Sequence, residues 1–459
     1  MKKKVAIIGG GITGLAAAYE LEKANQRGDA EIEYKLIEAS NRLGGKIRTH
    51  QRDGFIIEAG PDSYLKRKQS MTKLITEVGL DGDLVSNDTG QAYILKERTL
   101  YPMPEGAVMG VPTKFTPFAT TKLFSPLGKI RALGDLIVPS TIKADEDVSV
   151  GYFFRKRLGN EVVDHLIEPL LSGIYGGDMD KLSLKATFPQ FQKMVETHQG
   201  LMRGFKHTRS KASNQGKKTG MFATLQNGLE SLVEAVANEL NASSVLLNKN
   251  VKKITKKEHS FILTYSNEEE ERFDEVIVTT PPPKTAELLG HYPYFNYFKE
   301  MTMSSVATVA MVFPENAVHQ EQEGTGFVVS RKSEYNITAC TWTSKKWRHT
   351  TPEGKVILRC YVGKPGHTEI VGQSDETIIQ TVLEDLTNVM QIDCEPDFYY
   401  VSRWSNPHYQ VGHTFRLEKM REDIEMHLPG LYLAGAGLEG VGLPDCIDQG
   451  VKAAQSVIS

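Results

Sequence analysis

The stretch "VAIIGGGITGLAAAYEL", residues 5–21, decides the fold. Four apolar residues run into three glycines and then into an alanine-rich helical pattern. Gly9, Gly11 and Gly14 fit G-x-G-x-x-G between a strand and a helix, the context in which that motif binds a dinucleotide. The first glycine allows a tight turn, the second lets the backbone approach a pyrophosphate, and the third lets helix and strand pack closely. The stretch therefore predicts a dinucleotide-binding βαβ unit, with phosphates at the helix N-terminus.

A second strand is predicted at residues 31–39 and ends in Glu38. Nucleotide-binding βαβ units carry a carboxylate at this place, roughly 20 residues beyond the glycines, which binds the ribose hydroxyls and disfavours a 2′-phosphate. Residues 41–46, "NRLGGK", follow at once. Their glycines would let the backbone pass close to a cofactor, and Arg42 and Lys46 would offer positive charge to its phosphates. The alternative for residues 41–46 is a plain turn.

The composition is that of an ordinary soluble globular protein. The 459 residues are 40% hydrophobic and 24% charged, enough chain for two or three domains. The apolar runs are too short to cross a bilayer, and a net charge of −3 gives no field that would recruit nucleic acid. The four cysteines stand far apart without a CxxC pair, so we expect no metal site and no disulfide framework. These features favour the reducing cytoplasm.

The motifs resemble those of a large family of flavoproteins, the monoamine oxidase and protoporphyrinogen oxidase superfamily. Its members bind FAD through a Rossmann-like half followed by an R-x-G-G segment, here residues 42–45. The family usually carries arginine where this chain has Lys46, a change that keeps the charge but weakens bidentate phosphate contact. Three narrower segments are similar to protoporphyrinogen oxidases: "YPMPEGAVMGVPTK" (101–114), "IEPLLSGIYGGDMDKLSL" (167–184) and "EGVGLPDCIDQG" (439–450). The resemblance covers essentially the whole chain and is strongest to the soluble type of Gram-positive bacteria.

The expected fold is α/β, with a Rossmann-like FAD-binding domain, an inserted mixed α/β substrate domain and a mainly helical domain. The FAD-binding domain is expected in three parts, residues 1–89, 206–283 and 402–459. Helical spacing without a second dinucleotide motif predicts a mainly helical substrate or membrane-type domain at residues 90–205. Alternating apolar segments predict an antiparallel-sheet domain that binds substrate at residues 284–401.

The motif and the resemblance together predict the FAD-binding residues. They comprise the glycine turn, the end of the second strand, the R-x-G-G segment, the turn "EAGPDS", a strand residue facing the adenine, an aromatic ring beside the flavin, and the start of the last helix. These residues are Gly9, Gly10, Gly11, Ile12, Thr13, Gly14, Glu38, Ala39, Arg42, Gly45, Lys46, Gly60, Pro61, Asp62, Ser63, Val251, Trp404, Val441, Gly442 and Leu443. N–H groups of the last helix would stabilise negative charge at the N1/O2 edge of the reduced flavin. Trp404 and Tyr409 are each predicted either to cover the flavin ring or to be core aromatics.

The resemblance implies oxidation of coproporphyrinogen III to coproporphyrin III, in three two-electron steps with O₂ as acceptor and H₂O₂ as product. Protoporphyrinogen IX, oxidised to protoporphyrin IX, is expected as a second substrate. The chemistry takes place at flavin N5, so no side chain is nominated as a catalyst. Such an enzyme serves coproporphyrin-dependent haem biosynthesis. Its expected partners are neighbouring enzymes of the pathway, in transient contact, and at most the periphery of a membrane.

Coproporphyrinogen III carries four propionates, which call for cations at the rim of its pocket. Arg67 and Lys68, just after the "EAGPDS" turn, are the candidates. The alternative for Lys68 is a lysine in solvent at a helix start. Gly173, Ile174 and Tyr175 are predicted to form a wall of the cavity, where a glycine would let a flat macrocycle approach the backbone. The alternative for Ile174 is a core position.

Two rival functions are left open by the sequence. One is another FAD-dependent oxidase of the superfamily, acting on an amine or a polyene. The other is a non-enzymatic binding protein that retains the fold without flavin, and the intact glycine motif with Glu38 argues against it.

Overall fold

A parallel sheet surrounds the opening strand of the chain. The structure is a computed structural model that describes residues 2–87, 90–138, 142–143, 146–175, 177–212 and 220–459. The strands of the sheet are β1 (Lys3–Ile8), β2 (Ile32–Ile37), β12 (Val245–Leu246), β16 (Glu275–Val278) and β24 (Leu431–Leu433). They lie in the order β12-β2-β1-β16-β24 and all pair in parallel. The strand order reverses at β1, so the binding crevice lies beyond its carboxyl end.

Both faces of this sheet are covered, which explains why β1 is apolar without alternation. Val5 and Ile7 face a core shared with α1 (Ile12–Arg27) and α17 (Leu443–Ile458), whereas the alternate residues of β1 face a second core. The two helices pack closely on each other, since a Cβ at Gly450 would overlap the carbonyl oxygen of Thr13. The predicted α/β class with a Rossmann-like half is confirmed.

A seven-stranded sheet forms the second layer. Its strands are β7 (Tyr93–Lys96), β8 (Thr99–Pro102), β17 (Met303–Pro314), β19 (Gly326–Val329), β20 (Ile337–Trp342), β21 (Lys355–Val362) and β23 (Phe398–Pro407). They lie in the order β23-β17-β21-β20-β19-β7-β8, antiparallel except for the pair β19 and β7. Strands β7 and β8 come from residues 90–205, for which helical spacing predicts a mainly helical domain. The sequence does not indicate them because each is only four residues long and pairs only in the folded sheet.

A helical region covers one end of this sheet. Its helices are α3 (Phe115–Thr120), α4 (Pro126–Leu133), α5 (Val150–Leu158), α6 (Asn160–Val162), a π-helical turn (Val163–Ile167), α7 (Glu168–Tyr175), α8 (Leu184–Thr187), α9 (Pro189–His198) and α10 (Leu201–Ala212). Phe153, Phe154 and Phe191 pack edge to face in its core, with ring centroids 5.2 Å apart in each neighbouring pair. Among the described residues, no helix is long and apolar enough to cross a bilayer.

The remaining elements join these layers. The strands are β3 (Thr49–Arg52), β4 (Phe55–Glu58), β5 (Tyr64–Leu65), β6 (Leu84–Ser86), β9 (Ala107–Val108), β10 (Val111–Pro112), β11 (Phe222–Leu225), β13 (Val251–Lys257), β14 (Ser260–Tyr265), β15 (Glu270–Phe273), β18 (Val318–His319) and β22 (Gln391–Ile392). The helices are α2 (Gln69–Glu77), α11 (Glu230–Asn238), α12 (Pro282–Leu289), α13 (Asn296–Glu300), α14 (Thr343–Lys346), α15 (Asp375–Thr387) and α16 (His413–His427). The loop between β4 and β5 carries the "EAGPDS" turn and lies against the seven-stranded sheet.

Candidate cofactor and substrate site

Close contacts around the glycine turn after β1 leave no room for side chains at Gly9 and Gly14. Gly9 has a φ of +108°, a conformation that favours glycine, and a Cβ at Gly14 would overlap the carbonyl oxygen of Gly9. The hydroxyl of Thr279, after β16, donates to the carbonyl oxygens of Ile8 and Gly9 at 3.0 and 2.9 Å. The sequence analysis missed Thr279, which only the pairing of β16 with β1 brings to the turn. The chain therefore fixes this turn by itself.

Gly11, in the middle of the turn, faces open space. A Cβ built there has no heavy atom within 4 Å. Helix α1 begins at this point with no side chain that caps its first N–H groups and no acidic residue in its first turn. Ile12 and Thr13 are buried, so the helix presents its backbone here. Free N–H groups at the positive end of a helix suit a phosphate, and the turn fits the diphosphate of a dinucleotide.

Glu38 stands beside this turn at the end of β2. One carboxylate oxygen accepts the N–H of Gly10 at 2.7 Å, and the other accepts the N–H of Ser40 at 2.8 Å. Each oxygen keeps a further lone pair for a ribose hydroxyl. The carbonyl oxygen of Glu38 accepts the N–H of Lys249 at 3.0 Å. That contact brings the start of β13, with the buried Val251, to the same end of the crevice.

The R-x-G-G segment lies directly on the glycine turn. The N–H of Gly44 donates to the carbonyl oxygen of Gly10 at 2.8 Å, and a Cβ at Gly45 would lie 3.2 Å from the Cα of Gly11. The Arg42 guanidinium donates to carbonyl oxygens of its own loop, 2.6 Å away at Gly45. Arg42 therefore shapes the loop in this structure, and its contact with a phosphate stays a prediction.

Lys46 connects this loop to the seven-stranded sheet. Its Nζ donates to the carbonyl oxygen of Ser405 at 2.5 Å and to Oδ1 of Asn406 at 2.6 Å, both on β23. Burial lowers the pKa of Lys46. The phosphate contact predicted for Lys46 stays a prediction, and its observed contacts join the R-x-G-G loop to β23.

Three strands of the seven-stranded sheet hold the "EAGPDS" turn. The indole N–H of Trp404 on β23 and the hydroxyl of Thr308 on β17 both donate to the carbonyl oxygen of Ala59, each at 2.9 Å. The guanidinium of Arg359 on β21 donates to the carbonyl oxygen of Gly60. The Trp404 ring is thus fixed beside the turn predicted to contact FAD.

A charged cluster backs the same turn. The Asp62 carboxylate accepts hydrogen bonds from Lys346 Nζ at 2.8 Å and from the Ser63 hydroxyl at 2.7 Å, and it lies 3.8 Å from the guanidinium of Arg359. Burial alone would raise the pKa of Asp62, but the two cations hold it well below its usual range. An ionised carboxylate therefore anchors the segment that includes Pro61. The sequence analysis missed both cations, which stand almost 300 residues away in the chain.

Glu58, at the start of the turn, behaves differently. It accepts the N–H of Leu229 at 2.6 Å and the hydroxyl of Thr49 at 3.0 Å. Burial raises the pKa of Glu58 to about 7 in spite of these hydrogen bonds. Glu58 is therefore partly protonated near neutral pH.

The start of α17 packs against the start of α2, where the Ser70 hydroxyl donates to the carbonyl oxygen of Pro444 at 2.9 Å. Gly442 precedes the first helical residue, and no side chain caps the helix there. Val441 and Leu443 on either side are half-buried. Lys68, one of the two predicted substrate contacts, pairs with Asp445 in the first turn of α17. The predicted role of these N–H groups at the flavin edge stays a prediction, and so does the role of Lys68 toward substrate.

The other predicted residues are placed less tightly. Ala39, Arg67 and Gly173 are exposed. Ile174 and Tyr175 belong to α7, but their side chains lie outside the described part of the chain. Tyr409 is a core aromatic, since it is fully buried and its ring stacks on that of His413 at 4.3 Å.

Comparison with known proteins decides the family. Residues 12–458 match the family model of the flavin-containing amine oxidoreductases. The chain is 51% identical to the coproporphyrinogen III oxidase of Bacillus subtilis (strain 168) over 463 residues, which cover 100% of this chain and 98% of that protein. It is 46% identical to the coproporphyrinogen III oxidase of Staphylococcus aureus over 468 residues, which cover 100% of both. The chain belongs to the flavin-containing amine oxidoreductase family.

A solved structure agrees with this assignment. A provisionally named protoporphyrinogen oxidase from Exiguobacterium sp. 255-15 matches 100% of this chain and 99% of its own, with a TM-score of 0.88 and 39% identity. The family is defined by a flavin, and the turn at Gly11 is built for a dinucleotide, so the cofactor is FAD. The predicted FAD-dependent oxidoreductase is thereby confirmed.

Proposed function

We propose that this flavin-containing amine oxidoreductase oxidises coproporphyrinogen III to coproporphyrin III. The observation that carries the proposal is the full-length similarity to proteins named for this reaction, at 51% and 46% identity. The balanced reaction consumes three O₂ and releases three H₂O₂ for each macrocycle, and the bound FAD supplies the acceptor for two electrons at a time. Protoporphyrinogen IX, which contains the same reduced macrocycle, is proposed as a second substrate.

In this proposal the residues of the chain bind the cofactor and orient the substrate. The turn at Gly11 and the carboxylate of Glu38 would hold the diphosphate and ribose of the cofactor. Trp404 and Arg359, through the carbonyl oxygens of the "EAGPDS" turn, set the distance between the cofactor crevice and the seven-stranded sheet. The sheet then forms the floor on which a flat macrocycle lies, with the start of α7 beside it.

The localisation and partners are part of the same proposal. The cysteine usage favours the cytoplasm, where this reaction would serve coproporphyrin-dependent haem biosynthesis. We propose transient contact with neighbouring enzymes of the pathway and at most peripheral contact with a membrane.

An anaerobic assay tests the proposal. Purified protein with its yellow cofactor is mixed with coproporphyrinogen III or protoporphyrinogen IX, and porphyrin fluorescence and H₂O₂ are followed after air is admitted. We expect coproporphyrin to form with three H₂O₂ per macrocycle. Holoenzyme that leaves both porphyrinogens unchanged would refute the function, and putrescine or another amine as the better substrate would favour the rival oxidase.

A further inference from the structure

A cavity with three charged residues on its wall lies outside the cofactor crevice, between the start of α7 and the ends of β19, β20 and β21. About 320 Å³ of empty space lies within it, part of which is open solvent. The polar residues on its wall are Glu168, Ser330, Arg331, Tyr335, Thr338 and Lys364. They come from separate segments of the chain and form no local motif, so nothing in the sequence analysis singled out this place.

Lys364 is the unmatched cation of this cavity. Its Nζ donates to the carbonyl oxygen of Ser333 at 3.0 Å. Within the described ranges, no carboxylate lies within ion-pair distance of this ammonium group, and burial lowers the pKa of Lys364. An ammonium group has three N–H donors, so two are left for a ligand. A partly buried cation with one carbonyl partner is a natural partner for an anion.

Arg331 on the same wall is already matched. Its guanidinium lies 3.2 Å from Glu168, 3.6 Å from Asp178 and 3.4 Å from Asp180. The carboxylates of Asp178 and Asp180 neutralise Arg331, and all three contacts fix its position. Lys364 is therefore the wall cation whose charge is available.

Glu168 supplies a second unmet group. The side chain is only 3% exposed, and its Oε2 has no hydrogen-bond partner, whereas Oε1 faces Arg331. Burial raises the pKa of Glu168 to about 7. A protonated carboxyl group donates a hydrogen bond to an ionised carboxylate, so Glu168 and Lys364 can serve the same anion.

The cavity shares the sheet floor with the cofactor turn. On β21, Arg359 and Tyr361 lie two residues apart and face the same side. The Arg359 guanidinium donates both to the carbonyl oxygen of Gly60 and to the Tyr361 hydroxyl, the latter at 3.0 Å. The Thr338 hydroxyl, on the cavity wall, donates to the carbonyl oxygen of Tyr361 at 3.2 Å. Hydrogen bonds thus connect the "EAGPDS" turn to the cavity.

The distance suits a large substrate. Lys364 follows Arg359 by five residues, which span at most about 18 Å of extended chain. The proposal requires the macrocycle to lie between the "EAGPDS" turn and Lys364, within this bound.

We propose that the cavity binds a propionate of the tetrapyrrole, with Lys364 as its ion-pair partner and Glu168 as a hydrogen-bond donor. This inference rests on the proposed function, because it assigns a subsite for one of the four carboxylates of coproporphyrinogen III. It also moves the specificity-determining cation from Lys68, which Asp445 already neutralises, to Lys364. Lys364 and Glu168 would bind substrate and take no part in the chemistry.

The test compares Lys364→Met with the wild-type holoenzyme. We expect KM for coproporphyrinogen III to rise about tenfold and kcat to stay within twofold, since a charge-assisted contact is lost from binding alone. The Kd of the product coproporphyrin III, measured by fluorescence quenching, should rise by a similar factor. Lys364→Arg should stay within threefold of wild type. Lys364→Gln, which retains a donor for Ser333 without the charge, should behave like Lys364→Met, and the unchanged kcat of both variants shows that loss of folding is not the cause.

Lys355→Met is the matched control. Lys355 stands at the opposite end of β21, 37% exposed and paired with Asp397, and it does not line the cavity. It should leave KM and Kd unchanged. A change below twofold in Lys364→Met, or the same change in Lys355→Met, would overturn the inference while the wild-type activity upholds the proposed function. If wild type binds coproporphyrin III through Lys364 without oxidising the porphyrinogen, only the function fails. If wild type does not bind coproporphyrin III, both fail.

Discussion

The cofactor end of this site and the proposed substrate end are built in different ways. The glycine turn, Glu38 and the R-x-G-G segment lie within the first 46 residues and meet largely through backbone atoms. The cavity around Lys364 is assembled from the start of α7 and the ends of β19, β20 and β21, and three charged side chains stand on its wall. Substitutions at the cofactor end should therefore act through the space around the backbone, and those at the substrate end through charge.

The largest effect is expected for Gly11→Val. The space beside Gly11 is open, so the variant should fold, but its side chain would occupy the place of the diphosphate. We expect purified Gly11→Val to be colourless, with less than about a tenth of the wild-type flavin absorbance, and to show a native circular dichroism spectrum. Normal FAD content would remove the diphosphate from this turn.

Two glycines serve as controls for that result. Gly14→Val would place its side chain against the carbonyl oxygen of Gly9, so it should lower the amount of folded protein as well as the FAD content. Gly82 also faces open space, without a positive φ, in a surface turn away from the crevice. Gly82→Val should retain both fold and FAD. Identical behaviour of Gly11→Val and Gly14→Val would mean that the motif is purely structural.

Asp62→Asn tests the charged cluster that lies behind the "EAGPDS" turn. The substitution leaves Lys346 and Arg359 without their shared carboxylate, and breaking such a buried pair costs about 4 kcal/mol. We expect urea denaturation to show a loss of this size in the free energy of unfolding. Asp397→Asn breaks the partly exposed pair with Lys355 and should cost less than about 1 kcal/mol. Equal losses in the two variants would show that the cluster does not hold the turn.

The same contrast explains what the sequence predicts and what it does not. The βαβ unit and Glu38 can be predicted from the sequence because their spacing is set by one turn and two strands. The sequence does not predict the roles of Thr279, Arg359 and Lys346, because each reaches the site only after strands distant in the chain have paired. Lys68 illustrates the limit of the sequence. Its place after the "EAGPDS" turn predicts a contact with a propionate of the substrate. In the structure it pairs with Asp445 of the last helix, a partner that the sequence does not indicate.

Glu58 sets a pH dependence on the cofactor side. Its pKa is raised in the folded state to about 7, so its contribution to stability is full below pH about 4.5 and is lost as the pH rises through 7. The difference in unfolding free energy between wild type and Glu58→Gln should therefore change by about 3 kcal/mol between pH 4.5 and pH 8.5. Urea denaturation at both pH values measures it. The exposed Glu353→Gln should show no such change, and a constant difference for Glu58→Gln would place the titration elsewhere.

The smallest effect is expected for Lys68→Ala. Lys68 is 40% exposed and paired with Asp445, so its charge is largely compensated before substrate arrives. We expect KM for coproporphyrinogen III to rise no more than about threefold, with a smaller change for protoporphyrinogen IX, which has two fewer carboxylates. Equal changes for both substrates would reject contact between Lys68 and a propionate. A tenfold rise here together with an unaffected Lys364→Met would exchange the two lysines, and the decisive charge would then lie next to the FAD turn, on the cofactor side of the site.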